Sequence, residues 1–207
     1  METRQALSIV SSVLREEVGW SWPVFLAGCL HHSNTIFANT RWAAPDAPLD
    51  EASYLKRFAV AASIYLRLRP QLGQERAYSA VGRIIVPIGC ATARQQFDSL
   101  ATSKTPEMIG LPRLMAVHKL IQASDLGRFC RREFVVVTES LCHYVVRHCL
   151  ALEFFTQVGT PELAVHVCQV DNTFFPQAFP EFKFSRGDSW ENTIACGKDH
   201  CEFILEK

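Results

Sequence analysis

The residues of this chain best suited to chemistry are its cysteines, which concentrate towards the C-terminus. There are eight of them: Cys29, Cys90, Cys130, Cys142, Cys149, Cys168, Cys196 and Cys201. A thiolate can attack an electrophilic carbon or bind a metal ion, whereas most buried free cysteines are simply small hydrophobic residues. Because no Cys-x-x-Cys pair occurs, the sequence excludes a zinc ribbon and a thioredoxin motif. Cys29, Cys90 and Cys130 have no partner pattern and are expected to be core or surface thiols.

An aspartate accompanies one of these cysteines. Cys168 and Asp171 are three residues apart in a segment with helical spacing, so they share one face of a helix. The neighbours of Asp171 are largely apolar, and an acid in such a place must be paired, hydrogen-bonded or exposed. Asp171 is therefore either a catalytic group or a structural one, for which the partner would be Arg147 or Arg186.

The elements that must position these residues begin with a helical part, residues 1–130. Apolar residues recur at helical spacing in four segments, 3–18, 22–38, 51–69 and 74–101. Pro70 and Gly73 are expected to end the third helix, and Pro87, with glycines on either side, to kink the fourth. The pattern Thr105-Pro106-Glu107 predicts the start of a fifth helix.

The pattern changes at Arg131. The stretches FVVVTES and CHYVVRHC are rich in β-branched residues and alternate, which predicts two strands joined near Glu139–Leu141. His143 and His148 fall on opposite faces of the second strand, so at most one of them can face a given pocket. Two helices follow, over ALEFFTQVG and from Thr160-Pro161-Glu162, and His166 on the second is expected at the surface. Three further segments fit antiparallel strands: 181–186, 190–196 and 200–206.

Residues 131–207 resemble the L-2-amino-thiazoline-4-carboxylic acid hydrolase family. The motifs that carry the resemblance are RHC at 147–149, VGTPELAVHVCQVDNTFF at 158–175, FKFSR at 182–186 and TIACGKDHCEF at 193–203. The helical part is similar to the family only in its general pattern. The resemblance implies an α+β fold, in which an N-terminal helical layer packs on a C-terminal antiparallel sheet of about four strands with interleaved helices. It also implies a hydrolase that opens a thiazoline ring.

The resemblance singles out candidate catalytic residues. Ring opening needs a nucleophile at the electrophilic C2 carbon, a base to activate it and an acid for the leaving group. The thiol of Cys149 or Cys168 could attack C2 directly, or Asp171 could orient a water molecule. His148 could move protons near neutral pH.

The same resemblance suggests residues that hold the substrate. Arg147 or Arg186 could bind a substrate carboxylate through two parallel hydrogen bonds. His143, on the neighbouring strand, and Cys201, at the start of the last strand, complete the predicted substrate-binding set. Cys201 also alternates with Phe203 and Leu205, which equally fits core packing.

Two other functions stay open at the level of sequence. A cyclase or isomerase of a natural-product pathway could use the same scaffold, because 14 phenylalanines and four tryptophans provide material for an apolar pocket. A non-catalytic small-molecule-binding module is the third hypothesis. It follows from a shorter resemblance of the GKDHCEF ending to the 4-vinyl-reductase-type domain.

Charge and hydropathy limit the class of protein. Lys and Arg number 21 and Asp and Glu number 21, so the zero net charge argues against a nucleic-acid binder. The hydrophobic fraction of 48% excludes a disordered chain. No apolar run reaches the roughly 18 residues that span a bilayer, and the acids Glu2, Glu16 and Glu17 do not fit a signal peptide. We therefore expect a cytoplasmic, single-domain, small-molecule protein without membrane or nucleic-acid partners.

Cofactors and assembly are less constrained. We expect neither a cofactor nor a metal ion. The alternative is a tetrahedral zinc site, since three cysteines with His143 or His148 would supply four suitable ligands. A homodimer formed through an apolar helix face is compatible with the sequence.

Overall fold

A computed structural model describes residues 3–104, 110–123 and 129–207. In these ranges the helices are α1 Thr3–Val18, α2 Trp22–Ala38, α3 Leu49–Leu72, α4 Gln74–Lys104, α5 Gly110–Ala123, α6 Leu150–Gln157 and α7 Ala164–Ala178. The strands are β1 Arg132–Val137, β2 Leu141–Val146, β3 Lys183–Ser185 and β4 Cys201–Glu206. The expected α+β class and the four-stranded antiparallel sheet are confirmed. None of the helices in the described ranges is both long and apolar enough to cross a bilayer.

The first four predicted helices are confirmed as α1 to α4. Helix α3 continues past Pro70, which lies in its last turn, and ends at Gly73, whose φ of 80° suits glycine. Pro87 lies inside α4, and one helical element runs through it. The predicted helix start at Thr105-Pro106-Glu107 lies outside the described residues, and α5 is described from Gly110.

The chain divides into two compact units, of which the first comprises Met1–Gly89 and Ala151–Val167. It is helical: α2 and α3 pack along each other, and Leu14 and Leu55 are fully buried. The Tyr65 hydroxyl donates a 2.6 Å hydrogen bond to Glu162 Oε1, which ties the segment before α7 to α3. The single domain inferred from the length stays a prediction.

The expectation that His166 lies at the surface is wrong. Its side chain is buried, its ring stacks on Tyr78 with centroids 4.0 Å apart, and its Nε2 atom lies 3.0 Å from the Tyr78 carbonyl oxygen. Gly82 makes room for this ring, because a Cβ atom there would lie 2.5 Å from His166 Cε1. The helical pattern around His166 could not predict this burial, because the space for the ring is provided by Gly82 on another helix.

The second unit comprises Cys90–Leu150 and Cys168–Lys207 and contains the sheet, in the order β1-β2-β4-β3. Alternation along the strands puts one set of side chains on its buried face: Cys142, Tyr144 and Val146 from β2, and Cys201, Phe203 and Leu205 from β4. Side chains of α5 and of the later part of α7 pack against this face, among them Leu114 and Phe175. Elements that are distant in sequence thus meet over the sheet.

Strand β1 forms one edge of the sheet. Its register with β2 shifts between Phe134 and Val136, so Val135 is a bulge residue. Phe134 packs against the core, whereas Val135, Val136 and Val137 are exposed.

The strand predicted over 190–196 is wrong. This segment is a loop that contains one turn of 3-10 helix, Ile194–Cys196. The Asn192 side chain donates hydrogen bonds to the Arg186 carbonyl oxygen at 2.7 Å and to Asp188 Oδ1 at 2.8 Å. Such side-chain hydrogen bonds compete with a strand ladder and favour a loop, a preference that alternation alone does not reveal.

We expect Gly82→Ala to destabilise the protein. The added methyl group would press on an imidazole ring that is held by stacking and a polar contact, and overpacking of this kind costs about 1–3 kcal/mol. Gly28→Ala is the matched control, because its Cβ would lie 2.9 Å from Arg67 Nη2, the end of a flexible side chain. Urea denaturation should show a loss for Gly82→Ala and a change of at most about 1 kcal/mol for Gly28→Ala. Equal effects would contradict the steric explanation.

Candidate active site

A buried arginine organises the polar residues of the second unit. Arg186 directly follows β3, and its side chain is 1% exposed. Its Nη2 atom donates to Asp171 Oδ2 at 2.8 Å and to the Cys168 carbonyl oxygen at 3.4 Å, while Nη1 donates to the Glu202 carbonyl oxygen at 3.1 Å. The guanidinium carbon lies 4.3 Å from the centre of the Phe203 ring. Arg186 therefore links α7 to β4 through its charge and its hydrogen bonds.

Asp171 is the ionic partner of Arg186 and the more accessible of the two. Its side chain is 34% exposed, against 1% for Arg186. Burial among apolar neighbours raises the pKa of Asp171, and the positive charges of Arg186 and Arg132 oppose that rise. A carboxylate with a raised pKa is a better proton acceptor than an exposed one, and it can also return a proton to a leaving group.

Two thiols lie beside this ion pair. The side chains of Cys168 and Cys201 are hydrogen-bonded to each other, and the Cys201 sulfur accepts a hydrogen bond from the Ile194 backbone N–H at 3.3 Å. The hydrogen bond to Cys201 and then burial raise the pKa of Cys168 well above that of a free thiol. Cys168 is therefore held as a thiol rather than as a thiolate.

Arg132 is a second arginine whose positive charge acts on Asp171. It begins β1, its Nη1 atom donates to the Cys130 carbonyl oxygen at 3.3 Å, and its side chain is hydrogen-bonded to Tyr144. Burial raises the pKa of the Cys130 thiol, and Asp171 and Arg186 are close enough to affect it as well. Cys130, expected to be a plain core or surface thiol, thus lies near the ion pair.

His118, on α5, is buried next to Arg132 and Tyr144. Its ring centre is 4.8 Å from that of Tyr144, and Phe97, Phe134 and Phe175 also surround it. Burial and then the charge of Arg132 lower its pKa well below the ordinary value, so His118 is neutral. An imidazole in this place can donate or accept a hydrogen bond without adding charge.

A family model described as L-2-amino-thiazoline-4-carboxylic acid hydrolase matches residues 54–205, well over half of the chain. The chain belongs to this family. The match starts in α3, so membership of the thiazoline-carboxylate hydrolase family extends beyond the C-terminal part in which the resemblance was clearest. No curated protein and no solved structure is significantly similar to the chain.

The site residues predicted for this member of the thiazoline-carboxylate hydrolase family fall into three groups. Four of them come together: Cys168, Asp171, Arg186 and Cys201. Two others contact different partners, since His143 Nε2 lies 3.1 Å from Glu202 Oε1 and Arg147 Nε donates to Glu133 Oε2 at 2.9 Å. His148 and Cys149 are half-buried in the connection between β2 and α6. The catalytic and substrate-binding roles of all eight stay predictions.

Sequence reasoning missed Arg132 and His118. The signal for Arg132 was present, because alternation from Phe134 puts Arg132 on the same, inward face at the start of the strand. His118 had no comparable signal, since it lies in an apolar helix far from the matched motifs.

A zinc site would require at least three ligand side chains close to one another. Over residues 3–104, 110–123 and 129–207, no three side chains of His, Cys, Asp or Glu are grouped so as to hold one. The zinc alternative therefore gains no support from the described part of the chain.

We expect the titration of Asp171 to report on Arg186. Carbon-13 NMR of the Asp171 carboxyl should give a midpoint above 3.8, because burial disfavours the charged form. Arg186→Gln should move the midpoint higher still, since the guanidinium stabilises the carboxylate. Arg186→Lys, which keeps the charge, should move it less, and Arg131→Gln is the exposed control. A midpoint that falls in Arg186→Gln would contradict this electrostatic description.

Proposed function

We propose that the protein is a hydrolase that opens a small cyclic C–N/C–S compound at Asp171, with a thiazoline carboxylate as the leading substrate class. The observation that carries the proposal is the pairing of an accessible carboxylate with a buried guanidinium, at positions inside the family match. The family's name supplies the ring type. Asp171 supplies the group able to take and return a proton.

The reaction begins with water as the nucleophile. Asp171 accepts a proton from a water molecule while the water oxygen forms a bond to the amidine-like C2 carbon of the ring. The electron pair of the C=N bond moves to nitrogen and gives a tetrahedral carbon. When the ring bond from C2 to sulfur then breaks, the electron pair on nitrogen re-forms the C=N bond, and the leaving sulfur takes the proton from Asp171. One water molecule is consumed, and the carboxylate is regenerated.

Arg186 acts as a positioning residue in this scheme. Its bond to Oδ2 fixes the plane of the Asp171 carboxylate, and its bonds to two backbone carbonyl oxygens fix the guanidinium. The other carboxylate oxygen, Oδ1, is then the one directed to water. Precise orientation of this kind contributes to catalysis because the reacting atoms must be aligned.

The raised pKa of Cys168 favours water over this thiol as the nucleophile. In our proposal Cys168 and Cys201 have a structural role: their mutual hydrogen bond stabilises the side-chain packing next to Asp171. Neither thiol forms a covalent intermediate. Cys149 and His148 remain candidates for proton movement at the leaving group.

Replacement of Asp171 tests the proposal directly. Asp171→Asn should lower kcat for L-2-amino-thiazoline-4-carboxylic acid by about 10²- to 10⁴-fold, because it removes the proton acceptor. Asp199→Asn, at an exposed position, is the matched control and should keep wild-type turnover. Circular dichroism of both variants checks that the fold survives.

Three outcomes would contradict the proposal. Full activity of Asp171→Asn would remove the carboxylate from the mechanism. Thiol attack would be established instead by two results together. The kcat of Cys168→Ser or Cys201→Ser would fall as far as that of Asp171→Asn, and intact-mass spectrometry would show a covalent adduct on the wild-type protein. Binding of the compound by the wild-type protein without any product would favour the non-catalytic module.

A further inference from the structure

Four buried polar atoms near Asp171 have no hydrogen-bond partner among the residues that the structure describes. They are the Nε atoms of Arg132 and Arg186 and both ring nitrogens of His118, Nδ1 and Nε2. His118 is 1% exposed. Buried polar atoms in folded proteins are nearly always hydrogen-bonded, and unpaired ones call for an explanation such as a ligand.

These atoms belong to one neighbourhood of the second unit. Arg132 is hydrogen-bonded to Tyr144, whose ring centre lies 4.8 Å from that of His118, and the charge of Arg132 acts on both His118 and Asp171. The Tyr144 ring in turn stacks on Phe203 at 4.7 Å, directly beside the Arg186 guanidinium. A molecule held at Arg132 would therefore lie in the same region as the proposed proton acceptor.

The charges around Asp171 favour an anionic group. Burial keeps Tyr144 and Cys130 neutral, and the hydrogen bond to Cys201 together with burial keeps Cys168 neutral. Within this group of described residues, Arg132 and Arg186 therefore carry two positive charges and Asp171 carries one negative charge. The Arg132 side chain is half-buried, where a charge is less well solvated than at the surface and gains more from an ionic partner.

We infer that Arg132, assisted by His118, is the subsite for the carboxylate of the substrate, an inference that rests on the proposed function for the identity of the ring. The Nε–H edge of a guanidinium matches the two oxygens of a carboxylate, and a neutral imidazole adds one N–H donor. Arg147 and Arg186, the arginines expected from sequence to take this role, already bind Glu133 and Asp171. Arg132 is then the specificity-determining residue, because it favours ring compounds that carry a carboxylate over those that lack one.

The experiment compares two probes that differ only in the carboxylate: L-2-amino-thiazoline-4-carboxylic acid and 2-amino-2-thiazoline. Arg132→Gln should lower kcat/KM for the acid about 100-fold, mainly through KM, since a charge-assisted bidentate contact is lost. For the probe without the carboxylate, the change in kcat/KM should stay within about threefold. His118→Phe, which keeps the aromatic packing, should lower kcat/KM for the acid about tenfold, a smaller loss because one neutral donor is removed.

Arg131→Gln is the matched control, because Arg131 is the exposed neighbour of Arg132 in the chain. It should leave kcat/KM unchanged for both probes. If Arg132→Gln lowered kcat/KM equally for the two probes, Arg132 would be a structural residue and the inference would be wrong. If the acid were hydrolysed equally well by Arg132→Gln, the subsite would be wrong although the hydrolase would stand.

Calorimetric titration of the acid separates this inference from the proposed function. Binding to the wild-type protein that is weakened by Arg132→Gln, without any turnover, would uphold the subsite and refute the hydrolase. If the wild-type protein neither bound nor hydrolysed the acid, both would be overturned.

Discussion

The site depends on one constraint: a guanidinium buried in an aromatic core must keep its charge compensated. Arg186 is almost fully enclosed, and a buried charge is tolerated only when it is paired and hydrogen-bonded. Asp171 supplies the compensating charge, and carbonyl oxygens from α7 and β4 accept hydrogen bonds from the two Nη atoms. Removal of one partner from a buried pair of this kind costs about 3–5 kcal/mol. The position of α7 over the sheet and the orientation of the carboxylate are therefore fixed by the same contacts.

Sulfur has a different role here from the one that its abundance suggests. Cysteine count and spacing point towards nucleophiles, yet the hydrogen bond between Cys168 and Cys201 keeps one sulfur protonated and uses the other as an acceptor. A thiol is nucleophilic only in its ionised form. Cys168 is therefore a poorer nucleophile than its place in the matched motif implies, and the carboxylate nearby is the more suitable base.

Much of this arrangement could be predicted from sequence, for identifiable reasons. Strands β1 and β2 and the shared face of Cys168 and Asp171 follow from local periodicity, which survives in any tertiary context. The segment 190–196 was wrongly predicted to be a strand, because the Asn192 side chain closes a loop that alternation does not encode. Arg132 and His118 could not be linked in advance, since β1 and α5 meet only through the packing of the sheet. From sequence, the structural partner of Asp171 was expected to be Arg147 or Arg186, and in the structure it is Arg186.

The bulge in β1 has a consequence for behaviour at high concentration. A free sheet edge carrying three adjacent exposed valines, Val135 to Val137, is the kind of surface that recruits a strand from another molecule. The register shift at Val135 breaks the regular spacing of unpaired backbone donors and acceptors along that edge. An incoming strand could not form regular hydrogen bonds with these groups across the bulge. The bulge therefore protects the protein against edge-to-edge aggregation although the valines stay exposed.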